Sequence, residues 1–319
     1  MLLNIILLLA GFIILIKGAE YMVNGASSVA KRMNISTLVI GLTIVAFGTS
    51  APELTVNVIN SAYGRNEAIF GNIIGSNIFN LLMILGVTGL IYPLVVQQQS
   101  VKYEVPLSFI AIIVMYLLVN DVLFFDGTSN TLSRVDAFLL LIGFAFFMYY
   151  IYRSMRQKPD FEEDGIKIMS MPVSLGLIIL GVAMLIGGGY LVTENAVGIA
   201  QKFGLSEKLI GLTILAVGTS LPELATSAVA AYKKKTDIAI GNVIGSNIFN
   251  IFFILGVNGL INPIGYNTVL NTDMKVLGGG TIVLLIAMFT LNRNKVDRWE
   301  AFIFLMLYIA YTCYLIIRN

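Results

Sequence analysis

Long apolar runs dominate the chain, and polar residues return inside them on a strict schedule. Ten segments, near 3–23, 37–62, 68–92, 103–121, 135–152, 171–192, 207–232, 238–262, 275–292 and 299–317, are each long enough to cross a bilayer as a helix. The polar interruptions are not random. Gly41 to Glu53 reads GLTIVAFGTSAPE, and Gly211 to Glu223 reads GLTILAVGTSLPE. A second phrase follows each at the same distance: GNIIGSNIFN at Gly71 to Asn80 and GNVIGSNIFN at Gly241 to Asn250. The offset is 170 throughout; 11 of 14 positions match from Gly41 to Leu54, and 9 of 10 from Gly71 to Asn80. Ionisable groups inside a membrane are costly and mark functional sites. Here the cost is incurred twice in the same way, so two copies of one unit build one site.

The predicted fold is an all-α polytopic membrane protein. Its only sizeable hydrophilic stretch, Arg153 to Ile168, separates residues 1–152 from residues 171–319, with 153–170 as a cytoplasmic linker. Five spans in each half is an odd number, so the second copy enters the membrane from the opposite side. The halves are therefore expected to be inverted-topology repeats with a shared site near the midplane. Lysines and arginines set the orientation. Loops 1–2, 3–4, 5–6, 7–8 and 9–10 carry 13 of them, the opposite face carries 6, and the richer face is expected in the cytoplasm. Both termini then face outward from the cell membrane. Lys233 to Lys235 read as part of this topology signal, and Glu162 to Asp164 as a solvated linker.

Composition agrees: the chain of 319 residues is 57% hydrophobic and 12% charged. No histidine is present, which excludes imidazole relays and histidine metal sites, and the single Cys313 excludes an intrachain disulfide. The net charge of +2 points to no nucleic acid. The expected partners are the bilayer and small cations, with no enzyme activity, no cofactor and no obligate protein partner.

In the first phrase Pro52 removes a helix donor and clashes with the Gly48 carbonyl; Pro222 does the same to Gly218. Each phrase should be a kinked helix lining a polar cavity. Thr49 and Ser50 lie four and three residues before Glu53, so they can share its helical face. Asn72, Ser76 and Asn80 recur at four-residue steps on the next span. The second copy repeats this with Thr219, Ser220, Glu223, Asn242, Ser246 and Asn250. Every donor is a hard oxygen, the shell that suits Ca²⁺ and Na⁺. Glu53 and Glu223 are the acids that the span boundaries put deep in the bilayer, with no lysine or arginine placed to pair with them. One Ca²⁺ or two Na⁺ would neutralise them, which is the physical basis of coupled exchange. Hydroxyls and amides in membrane helices usually serve packing, and Asn72, Asn77, Asn242 and Asn247 are read as satisfying backbone at the kinks. Gly71 with Gly75, and Gly241 with Gly245, are expected to pack span three on two and span eight on seven.

At GTSAPE, GTSLPE and the two GN(I/V)IGSN phrases the chain resembles the cation/calcium antiporter superfamily, in its prokaryotic sodium/calcium exchanger branch. The resemblance implies two inverted five-helix repeats and export of Ca²⁺ against Na⁺ entry by alternating access. It implies cation ligands at Thr49, Ser50, Glu53, Ser76 and Asn80, at Thr219, Ser220, Glu223, Ser246 and Asn250, and at the backbone carbonyls of Ala46 and Ala216. Some relatives, potassium-dependent exchangers among them, carry aspartate where Asn250 stands, so the asparagine argues against K⁺ co-transport. The proton/calcium branch carries a carboxylate-bearing second phrase, which this chain lacks. Proton/calcium exchange and a passive cation channel remain the competing readings.

Overall fold

The computed structural model describes residues 2–125, 127–156, 168–203, 216–289 and 294–318. Among these, eight unbroken helices are long and apolar enough to cross a membrane: Leu2–Met33, Ala68–Ile91, Ser100–Val119, Arg134–Ser154, Met171–Lys202, Thr236–Ile261, Thr268–Ala287 and Arg298–Arg318. A ninth span is the pair Thr37–Thr49 and Ala51–Ala62, bent by 47° at Ser50. The predicted span at 207–232 is described only as Ala216–Gly218 and Leu221–Tyr232. Its first part, with Lys208, lies outside the described residues, as do Lys158, Glu162, Glu163, Asp164, Lys167 and Arg293.

Two spans are longer than predicted. The first was expected to end near residue 23, where Asn24, Ser27 and Ser28 dilute the apolar run. It continues to Met33 because those groups find partners within the helix and on neighbouring segments. Ser27 Oγ donates to Val23 O at 2.7 Å, and Ser28 Oγ accepts from Ser174 Oγ and Met169 N at 2.8 Å each. The sixth span likewise runs on to Lys202 past Asn195, whose amide returns to Leu191 O at 2.8 Å. At 1.5 Å per residue, 32 residues extend about 48 Å, beyond a hydrocarbon core of about 30 Å. These two helices must tilt or project.

They run against each other along their length, and glycine makes this possible. A Cβ added at Gly18 would sit 3.0 Å from Gly181 O, and one added at Gly181 would sit 2.8 Å from Gly18 O. Gly11 and Gly188 meet in the same reciprocal way. Gly11 and Gly181 are repeat mates at an offset of 170, as are Gly18 and Gly188, so this seam lies on the pseudo-two-fold axis that relates the halves. Such mutual pairing marks a two-fold relation, and small residues let membrane helices approach to backbone distance.

Two short antiparallel pairings lie at the span ends. Leu94–Val95 joins Lys295–Val296, and Thr131–Leu132 joins Ile264–Gly265. The first links loops 3–4 and 9–10, the second loops 4–5 and 8–9. Each pairing therefore joins two loops that the span count puts on one face of the membrane, as inverted repeats require.

The expectation for Gly241 and Gly245 is corrected. They pack against the second span, not the seventh: Cβ atoms there would lie 2.8 Å from Leu38 O and 2.7 Å from Leu42 O. Their mates Gly71 and Gly75 line a cavity instead. The helices of one repeat thus pack into the other, a pairing that spacing along the chain does not encode.

Candidate cation site

The site is built from the two bends and the two helices that follow them. Ser50 (φ −83°, ψ 8°) and Ser220 (φ −92°, ψ 6°) leave helical geometry, and each is followed by a helix with proline in its first turn. Glu53 and Glu223 fall in those first turns, where the positive end of the helix favours anionic side chains. Ser76 and Ser246 come from the next spans. So do Asn80 and Asn250, which sit in π-helical turns at Phe79–Ile84 and Phe249–Ile254. A wide turn at a functional position is common; here it occurs twice, at the same register of the repeat.

The contacts are reciprocal. Ser220 Oγ donates to Glu53 Oε1 at 2.9 Å, and Ser50 Oγ donates to Glu223 Oε1 at 2.9 Å. Ser220 Oγ lies 3.0 Å from Ser76 Oγ, and Ser50 Oγ lies 3.0 Å from Ser246 Oγ. Asn80 Nδ2 donates to Asn247 Oδ1 at 3.1 Å, and Asn250 Nδ2 to Asn77 Oδ1 at 2.9 Å. Asn77 and Asn247 also donate to each other's backbone oxygens, at 3.2 and 3.3 Å. Every one of these bonds joins one repeat to the other, so neither half holds a complete site.

Both glutamates are almost wholly buried, at 1% and 0% exposure. Among the described residues, four acceptors of these glutamates and asparagines are buried without a hydrogen-bond partner: Glu53 Oε2, Glu223 Oε2, Asn80 Oδ1 and Asn250 Oδ1. A buried oxygen without a partner costs about 1–3 kcal/mol, and more when charged. Asn77 and Asn247 enforce the arrangement, because they take the N–H ends of Asn80 and Asn250 and leave the carbonyl ends bare. Among the described residues no group of three or more acidic or thiol side chains forms a metal cluster. The site's acidic groups are thus the two glutamates, set amid neutral oxygens.

The remaining predicted residues divide. Thr49 Oγ1 lies 2.9 Å from Asn242 Oδ1, and Thr219 Oγ1 accepts from Asn72 Nδ2 at 3.3 Å. The Ala46 carbonyl already accepts from Ser50 N at 3.0 Å and lies 3.3 Å from the Thr49 hydroxyl, so it is not a bare oxygen as the four above are. In the second repeat Ser220 N bonds Val217 O at 3.0 Å, and Ala216 stands at the head of the short Ala216–Gly218 helix.

Sequence reasoning missed three features. Glu104 and Asp273 are buried, at 1% and 2% exposure, although the expected boundaries put them at span ends. Asp273 is held by Arg318 at 3.0 Å and by the Tyr311 hydroxyl at 2.9 Å; Glu104 accepts from the Tyr150 hydroxyl. Lys233, read only as a topology signal, also bonds Glu20 at 3.2 Å and Asn24 at 2.9 Å in the first span. No spacing rule links 233 to 20.

A cavity of about 980 Å³ approaches the site from one side. Thr219, Pro222 and Asn72 line its inner part, while Asn60, Glu194 and Arg318 line it nearer the span ends. Those ends belong to the face with fewer lysines and arginines.

Fold and site together define a polytopic membrane protein of two inverted repeats that share one buried, oxygen-lined centre with a carboxyl group from each repeat. A family model described as sodium/calcium exchanger protein matches residues 3–153 and 173–317. Among similar proteins, the putative antiporter CaxA of Alkalimonas amylolytica is 38% identical over 98% of both chains. The sodium/calcium exchanger MaX1 of Methanosarcina acetivorans is 32% identical over 97% of both. A solved structure of the sodium-calcium exchanger NCX_Mj superposes with a TM-score of 0.83 at 30% identity, covering 98% of each chain. The chain belongs to the sodium/calcium exchanger family.

Proposed function

We propose that the protein exports Ca²⁺ in exchange for Na⁺ by alternating access at the centre shared by Glu53 and Glu223. The observation that carries the reading is the set of four unpartnered buried oxygens, two from each repeat, in the family of sodium/calcium exchangers. Their charge of two is balanced by one Ca²⁺ or by two Na⁺, so binding of one ion type excludes the other. A balanced centre can change its accessible side; a bare dianion in low dielectric cannot. The ligands are Thr49, Ser50, Glu53, Ser76 and Asn80 with their mates Thr219, Ser220, Glu223, Ser246 and Asn250, completed by backbone carbonyls at Ala46 and Ala216. Asn250, neutral where K⁺-dependent relatives carry an acid, supports a transport cycle without K⁺. The protein resides in the cell membrane with both termini outside, which makes the cavity open outward.

Ca²⁺ uptake into proteoliposomes under imposed gradients tests this. An opposing Na⁺ gradient should drive uptake, and a K⁺ gradient should add nothing. Uptake that follows a pH gradient and ignores Na⁺ would replace the reading with proton/calcium exchange. Flux with no counter-ion requirement would make the protein a channel.

A further inference from the structure

One turn beyond each glutamate the repeats part company: Asn57 stands where the second copy has Ser227. Both residues are fully buried and both meet the asparagine of the following span, Asn72 or Asn242. The difference reverses a chain of hydrogen bonds.

In the first repeat, Asn57 Nδ2 lies 2.8 Å from the backbone oxygen of Glu53. A carbonyl only accepts, so this end of Asn57 is the donor. The same nitrogen lies 2.7 Å from Asn72, which must present Oδ1 there. Asn72 Nδ2 then faces Thr219 Oγ1 at 3.3 Å, and the threonine oxygen accepts. One lone pair of Thr219 is thereby taken up by the amide.

In the second repeat the order runs backwards. Asn242 Nδ2 faces the Glu223 backbone oxygen at 3.3 Å and Ser227 Oγ at 2.9 Å. Asn242 Oδ1 therefore faces Thr49, whose hydroxyl donates at 2.9 Å. The Thr49 hydrogen is spent on the amide and its lone pairs stay free. Each assignment is anchored on a backbone carbonyl, so neither depends on how an amide end was assigned.

We infer that Asn57 is a positioning residue that makes the two site threonines inequivalent: the Thr219 oxygen accepts an amide N–H, while Thr49 donates to an amide and keeps its lone pairs for the cation. A cation takes a hydroxyl by its oxygen with the hydrogen turned away. Thr49 meets that demand. Thr219 meets it less well, because the Asn72 N–H already occupies one of its lone pairs. The centre therefore grips a cation more tightly on its Thr49–Glu223 side. This rests on the proposed site, and it goes beyond the repeat symmetry, which treats the two threonines alike.

Serine at 57 would let Asn72 turn as Asn242 does and leave both lone pairs of Thr219 to the ion. Binding of radiolabelled Ca²⁺ to the purified full-length protein without Na⁺ reads this. Asn57→Ser should lower the half-saturating Ca²⁺ concentration about three- to tenfold, the worth of one hydrogen bond between neutral groups. Ser227→Asn should raise it by a similar factor, and the double exchange should return it close to the starting value. Asn57→Ala also frees Asn72 and should tighten binding, which keeps the test available if the serine variant does not fold. A residue with only a packing role would weaken binding when cut down; weakened or unchanged binding in both Asn57 variants overturns the inference. Glu53→Gln separates the two readings. If it binds Ca²⁺ normally, the site itself is wrong; if it loses binding while Asn57→Ser fails to tighten, only the inference fails.

Discussion

Each site glutamate has one carboxylate oxygen tied to a serine of the other repeat and one left bare. Glu53→Gln or Glu223→Gln removes half the formal charge of the centre and leaves the opposite serine donating to a neutral group. Losing a charged, fully desolvated ligand costs about 2–5 kcal/mol, so Ca²⁺-coupled flux in proteoliposomes should fall at least about thirtyfold in each variant. Near-normal flux in either would refute the assignment. Asn80→Ala and Asn250→Ala remove a neutral oxygen and should weaken Ca²⁺ binding more modestly, about five- to tenfold. Equal losses for amide and carboxylate variants would contradict a charge-based site. At this scale the residue types and their repeat were legible in sequence. The roles of Asn77 and Asn247 were not: a bond to a partner 170 residues away cannot be read from local spacing.

Elements were predicted well where the apolar run alone defines them. Ala68–Ile91 and Arg134–Ser154 fall within a residue or two of expectation. Prediction failed where polar residues are satisfied by another helix, as at Ser28 with Ser174. The wide turns at Phe79–Ile84 and Phe249–Ile254 also escaped, because no residue type announces one. The seam between the first and sixth spans gives a test at this scale. Leucine at Gly18 would drive its Cβ to 2.8 Å from Met184 Cβ and 3.0 Å from Gly181 O. Overpacking of this kind costs about 1–3 kcal/mol. Gly18→Leu should lower the thermal midpoint of the purified protein, while Leu9→Ala, on the lipid-exposed side of the same helix, should leave it within error. A Gly18→Leu variant as stable as its parent would mean that the helices do not pack at backbone distance.

Over the whole molecule, the symmetry is broken by access. Ala68 lines the cavity, while its repeat mate Ile238 is completely buried and stands against Gly41. In a Cys313→Ser background, Ala68→Cys should react with a membrane-impermeant maleimide added outside the cell. Ile238→Cys should not react from either side in this state. Labelling of Ala68→Cys from the cytoplasm alone would reverse the proposed orientation. The repeat determines that two such faces exist, but it cannot say which one is open, because both copies carry the same phrases.

The sequence by itself determined the membrane class, the two repeats, their inversion and the oxygen chemistry of the centre. Each of these depends on quantities written along the chain: apolar length, the parity of the spans, and residue type at a fixed offset. Tertiary structure alone decided which oxygens are bare, which helices of opposite repeats interlock, and which side of the centre is open. It also decided that Thr49 and Thr219, identical in the repeated phrase, meet the neighbouring asparagine in opposite senses, one donating and the other accepting. Those outcomes depend on contacts across some 170 residues, where the geometry of a partner, and not the residue's own neighbours, sets the direction of each hydrogen bond.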